Sequence, residues 1–255
     1  MLPVNRGLGL YRLTVGLVTL LLASAGYAAI ESKDLQELEL NIWNVRSGYY
    51  LYSVMGGDKS YEELLQNQIS KAKTSYSNIE QKAESDGGDK KFLQELDALW
   101  PELLDLANQN TIAELGYTDS YLAIDLNNQA ADIIELINEY NAQGKKSDLL
   151  KLAIKSQRMT SEYLSLAAAP DGGMSTGEGN IRIDFDEAVP EFDALLAEAK
   201  KKYANDESVT RALLQVDRKW RFIRESMVKF YEDSVPFLVS RYSEQIVDLI
   251  EQVVE

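Results

Sequence analysis

The stretch VTRALLQVDRKWRFIRESMVKF (residues 209–230) decides the fold class. Its apolar residues stand at Val209, Leu213, Val216, Trp220, Ile223, Met227 and Phe230, in alternating steps of four and three. That spacing keeps one stripe on one face of a helix and leaves the charged residues on the other. Outward from it, nearly every segment after residue 33 repeats the pattern. Towards the N-terminus it runs through Leu38, Ile42, Val45, Tyr49 and Tyr52, then Leu65, Ile69, Ala72, Tyr76, Ile79 and Ala83. It continues through Phe92, Leu96, Leu99, Leu103 and Leu106, then Leu126, Ala130, Ile133, Ile137 and Tyr140. In the second half Leu149, Leu152, Met159, Tyr163 and Leu166 form a stripe with Ser156 inside it. Phe185, Val189, Phe192, Leu196, Ala199 and Tyr203 form another, and Val235, Val239, Tyr242, Ile246, Leu249 and Val253 the last. No strand-like alternation of useful length competes, so an all-α fold is expected.

The breaks divide this pattern. Gly56-Gly57-Asp58, Asp86-Gly87-Gly88, Asn141 to Gly144 and PDGGMSTGEGN (170–180) are polar and glycine-rich, and such stretches interrupt helices. They predict two tandem antiparallel four-helix bundle units, over residues 33–141 and 147–255. Each unit, of about 110 residues, is long enough to bury a core. The linker is short, so the units are expected to touch or to share a continuous helix. The halves also align with each other: NVRSGYYLYS (44–53) lies over SQRMTSEYLS (156–165), LDALW (96–100) over VDRKW (216–220), and DIIELINE (132–139) over QIVDLIEQ (245–252). These matches pair Arg46 with Arg158 and Trp100 with Trp220, which points to an internal duplication.

Composition narrows the chemistry. The 255 residues include no histidine and no cysteine. Ser-His-Asp and Cys-His sites, His-containing zinc sites and the Glu-x-x-His di-iron pattern are therefore out of reach. So are thiol nucleophiles, disulfides, Fe–S clusters and c-type haem attachment. No cofactor and no metal are expected, and an enzyme would have to work with carboxylates or tyrosines alone. The formal net charge of −15 repels nucleic acid and anionic headgroups and otherwise serves solubility. The acidic runs DFDE (184–187) and DGGD (86–89) lack an EF-hand pattern and read as a helix start and a turn.

Residues 1–28 read as an address. Arg6 and Arg12 precede the apolar run LTVGLVTLLLA (13–23), and Ala23-Ser24-Ala25 or Gly26-Tyr27-Ala28 offers a cleavage site. The uncharged run from Leu13 to Ile30 is about 18 residues, at the lower edge for a membrane span, so an uncleaved anchor is the alternative. Either way the body is expected outside the cytoplasmic membrane, in a periplasm.

The segment SQRMTSEYL (156–164) carries a resemblance. It is similar to the opening motif of the NarX-like and PilJ-like N-terminal sensor domain, whose usual form reads AGRQRMLSQRMAKxYL. The second half of that pattern matches at Ser156, Gln157, Arg158, Met159, Tyr163 and Leu164. Trp100 and Trp220 in the third helix of each unit, and VPFLVSRYSEQI (235–246) before the last, agree in kind. The resemblance covers about residues 35–255 and implies a non-catalytic sensor or binding module. Its implied partners are a small anion or carboxylate and a membrane-bound sensor or pilus and chemotaxis component, with a homodimer as the assembly. After the last helix no kinase core or methyl-accepting coiled coil follows up to Glu255, so output is expected to pass to a separate partner.

The resemblance makes Arg158 and Arg46, with Ser156 and Gln157, the candidate ligand-binding residues. Each arginine offers a fork of fixed donors for a carboxylate, nitrate or phosphate, and each has an interhelical ion pair as its alternative role. The family's earlier arginine, the one expected to meet the anion in nitrate sensors, falls on Ala153. A shifted alignment places Arg158 there instead and loses the match at Tyr163 and Leu164. Ser156 either lets helices approach closely or bonds back one turn. Tyr49, Tyr50, Tyr52, Tyr163, Trp100 and Trp220 read as core and interface residues. The competing reading of the whole chain is a structural, protein-interaction protein of the cell envelope with no small ligand.

Overall fold

The computed structural model describes residues 29–85, 89–140, 142, 144–169 and 182–254. The leader (1–28) and the 170–180 segment lie outside them. The fold is all-α: α1 (Ser32–Val54), α2 (Lys59–Ser85), α3 (Lys90–Asn108), the short α4 (Ile112–Leu115), α5 (Ser120–Glu139), α6 (Asp148–Ala168), α7 (Phe185–Lys202), α8 (Glu207–Val228) and α9 (Pro236–Val254). Among the described residues, no helix is long and apolar enough to cross a membrane.

Side-chain caps set several of the starts. Asp119 accepts the N–H groups of Tyr121 and Leu122, Ser147 that of Leu150, Asp184 that of Asp186, and Asp206 those of Ser208 and Val209. Each satisfies donors that the first helical turn leaves without an intrahelical partner. Tyr140 closes α5 in extended conformation, and Gly144 adopts φ of +82°. The linker is therefore a break, and α5 and α6 are separate helices.

Neighbouring helices run antiparallel within each half. Lys82 of α2 meets Asp34 of α1, and Asn41 of α1 meets Ser75 of α2. Tyr76 of α2 meets Asp97 of α3, Gln129 of α5 donates to the Leu99 carbonyl of α3, and Arg46 of α1 reaches Asn127 of α5. In the second half Lys155 of α6 pairs with Glu191 of α7, and Trp220 of α8 donates to Asp193 of α7. Lys219 of α8 reaches Gln245 of α9, and Ser156 of α6 meets Ser243 of α9. Two hydrophobic clusters result. One gathers Leu38, Ile42, Ile69, Leu96, Trp100, Leu126 and Ile133, the other Leu152, Met159, Phe192, Val216, Trp220 and Ile246. Trp100 stacks on Tyr76 at 4.8 Å, and Trp220 packs on Phe192 at 4.2 Å, so both serve as core anchors.

The clusters are not sealed from each other. Leu164 of α6 belongs to the first and Leu40 of α1 to the second. The most extensive helix–helix contact is α1 against α6. Gln36 bonds Ser147 in both directions at 3.0 and 2.7 Å, and further along Arg46 meets Ser161 and Glu162, so the two helices run parallel. Both are buried around most of their circumference, as central helices must be. At Gly48 a β-carbon would collide with Gln68 Oε1, so the bare backbone there admits the α2 side chain against α1.

Candidate functional site

Helices buried on two faces carry polar residues into the interior, and those residues must find partners. Along the α1–α6 contact they find one another. Arg46 is the hub: its Nε donates to Asn127 Oδ1 at 2.7 Å, Nη1 to Ser161 Oγ at 2.7 Å and Nη2 to Glu162 Oε2 at 3.1 Å. Both members of the Arg46–Glu162 ion pair are 2% exposed. The guanidinium also lies 5.0 Å from the Tyr50 ring centroid, and Tyr50 donates to Asn127 Oδ1 at 2.9 Å. Arg46 therefore forms a buried interhelical ion pair that bridges the halves of the chain.

Gln157 and Ser156 form a second buried polar cluster. Gln157 Nε2 donates to Ser47 Oγ at 2.8 Å, and its Oε1 accepts from Ser243 Oγ at 3.3 Å. Ser156 Oγ meets Ser243 Oγ at 3.0 Å. Ser156 thus bonds across to α9, where two small residues let α6 and α9 approach. All three side chains are buried.

Arg158 sits differently. It is half-buried, with its guanidinium 5.6 Å from the Trp43 ring centroid, and it lines a groove of about 370 Å³ between α1, α5 and α6. Glu39, Trp43, Ile134, Glu135 and Glu139 line the same groove. Arg46 reaches the same indole at 5.9 Å, so Trp43 stands between the two matched arginines. Burial pulls the Arg158 guanidinium below its ordinary value, against the opposing pull of Glu39 and Glu162. It stays charged, because arginine starts so far above neutrality.

Glu39 is the titratable wall of this groove. Burial pushes its carboxyl above the usual glutamate range, more than the Trp43 N–H, Arg158 and Lys146 pull it back. A carboxyl raised on folding binds its proton more tightly in the folded state. Its contribution to stability is full below the ordinary glutamate value and is lost as pH rises through the raised one. Glu39→Gln is therefore expected to raise the melting temperature at pH 7 and to change it less at pH 4. Thermal unfolding of the two proteins at both values checks this; a lower melting temperature at pH 7 would mean that the Arg158 attraction outweighs burial.

Of the four residues singled out in the sequence, the structure places Arg46 in one buried polar cluster, Ser156 and Gln157 in a second beside it, and Arg158 on the groove. Trp43, Glu39 and Glu162 were not singled out. A signal for them existed: Gln36, Leu40, Trp43, Ser47 and Tyr50 form a second stripe on α1 at steps of four and three, and Glu162 stands inside the quoted motif. No protein-family model, curated protein or solved structure matches the chain.

Proposed function

We propose that the chain is a non-catalytic, extracytoplasmic binding module of two tandem four-helix units, of the kind the NarX-like and PilJ-like resemblance implies, and that its small-ligand site is the Arg158 groove. The observation that carries this reading is the placement of Arg158, held against Trp43 and open to a cavity of about 370 Å³. That volume suits a small molecule. The three glutamates refine the ligand class. A bare anion such as nitrate would meet Arg158 and be repelled by Glu39, Glu135 and Glu139. A zwitterion satisfies both signs, with its carboxylate on the guanidinium fork and its ammonium towards the glutamates.

The test is a thermal-shift panel of simple anions, simple amines and free amino acids. At about 100-fold over its dissociation constant a zwitterion should add roughly 2.7 kcal/mol, and Arg158→Ala should remove that shift. A panel without effect on the wild type, with Arg158→Ala merely lowering stability, would sink the sensor reading. The second reading, a structural interaction protein without a small ligand, would then stand. It draws its support from the buried Arg46–Glu162 bridge, which serves packing.

A further inference from the structure

A second cavity lies towards the C-terminal end of α6, beyond the Arg158 groove. It measures about 530 Å³ and is enclosed by the C-terminal part of α6, the start of α7 and the end of α8. Its apolar lining is Leu166, Ile183, Phe185, Val228, Phe230 and Tyr231. These walls are held in place. Tyr163 packs edge-on against Phe230 at 4.8 Å and against Phe185 at 6.0 Å, and its hydroxyl accepts the Val235 N–H at 2.8 Å.

The polar lining is mostly of one sign. Asp184, Asp186 and Glu187 stand at the α7 side with Arg182, and Glu162 lines the cavity from α6. Glu162 is 1% exposed overall, and only one of its oxygens is engaged: Oε2 accepts from Arg46, while Oε1 is buried with no hydrogen-bond partner among the described residues. A buried carboxylate oxygen without a donor is costly, and a ligand that brings a donor removes the cost. Among the described residues, four carboxylates against Arg182 on the wall, and Arg46 and Arg158 near Glu162, favour a cationic donor over a neutral one. Among the described residues no group of three or more Asp or Glu is arranged to hold a metal ion, and the aromatic walls suit an organic body.

We propose that this cavity binds an organic ammonium ion, its N–H donating to Glu162 Oε1 and its apolar body lying against Phe185 and Phe230. The site shares no described lining residue with the Arg158 groove, and the two can fail separately.

The test uses the full chain and three matched probes: 2-phenylethylammonium, 2-phenylethanol and phenylacetate. Binding is read by calorimetry and by saturable rise in melting temperature. The ammonium should bind at least about tenfold more tightly than the alcohol, which corresponds to a charge-assisted hydrogen bond, and phenylacetate should not bind. Val228→Trp, at a position 42% exposed on the cavity wall, fills the space while keeping both members of the Arg46–Glu162 pair and should abolish binding. Arg158→Ala should leave it intact. Glu162→Gln should erase the preference for ammonium over alcohol; if that variant fails to fold, Val228→Trp decides. Equal affinity for ammonium and alcohol, no saturable ammonium binding, or binding unchanged by Val228→Trp would each overturn the proposal.

Discussion

Arg46→Ala is expected to destabilise the protein by about 3–5 kcal/mol, the usual cost of removing one partner from a buried ion pair. The pair is 2% exposed on both sides, so solvent cannot take over from the missing guanidinium. Glu162 would keep a buried charge without its direct ion-pair partner, and Ser161 and Asn127 would each lose a donor. The cost lies in breaking the pair more than in any intrinsic worth of it. Arg46→Met with Glu162→Met should therefore recover most of the loss, since apolar side chains of similar volume often replace a buried pair at little cost. Chemical denaturation of Arg46→Met, Glu162→Met and the double variant measures the coupling directly. A loss below about 1 kcal/mol for Arg46→Ala would place the pair in the range of surface bridges and contradict its burial.

The same pair shows what the sequence makes legible. Each long helix shows an apolar stripe with the helical period, and for that reason the helices could be placed from the sequence. The short α4, Ile112–Leu115, has four residues and cannot display a period. The all-round burial of α1 and α6 is harder to read, because a single stripe implies a single buried face. Gln36, Ser47, Gln157 and Glu162 look like solvent-facing residues until the opposite helix is known. Within the motif, Glu162 lies one turn after Arg158, and local spacing would pair those two. The structure instead pairs Glu162 with Arg46, more than a hundred residues earlier, because α1 and α6 lie side by side. Which of two matched arginines becomes a bridge and which stays on a groove is decided by that packing. Neighbouring residues along the chain do not encode it. Trp43 escapes for a related reason: it lies off the stripe of Ile42, Val45 and Tyr49, on the face that meets α6.

Separating the halves should have the largest effect. Fragments 30–143 and 145–255 would each uncover one side of the α1–α6 contact. The first would expose Leu40 and Trp43, each 1% exposed in the intact chain. Burial of each such side chain stabilises by about 1.5–3 kcal/mol, and two together are a large share of the total stability of a typical domain, about 5–15 kcal/mol. The ion pair works in the other direction. Once separated, Arg46 and Glu162 regain water, so their charges add no penalty of the kind that Arg46→Ala incurs. The apolar loss should dominate, and each fragment alone is expected to unfold broadly and at low temperature. Mixing the two should restore a single cooperative transition close to that of the intact protein, because the parallel α1–α6 contact can re-form between chains. Calorimetry and circular dichroism on each fragment and on the mixture read this out. Sharp unfolding of each fragment near the melting temperature of the whole would mean two independent domains in contact. The two halves would then owe their stability to their own cores, and the buried polar seam would serve only to fix how one half sits on the other.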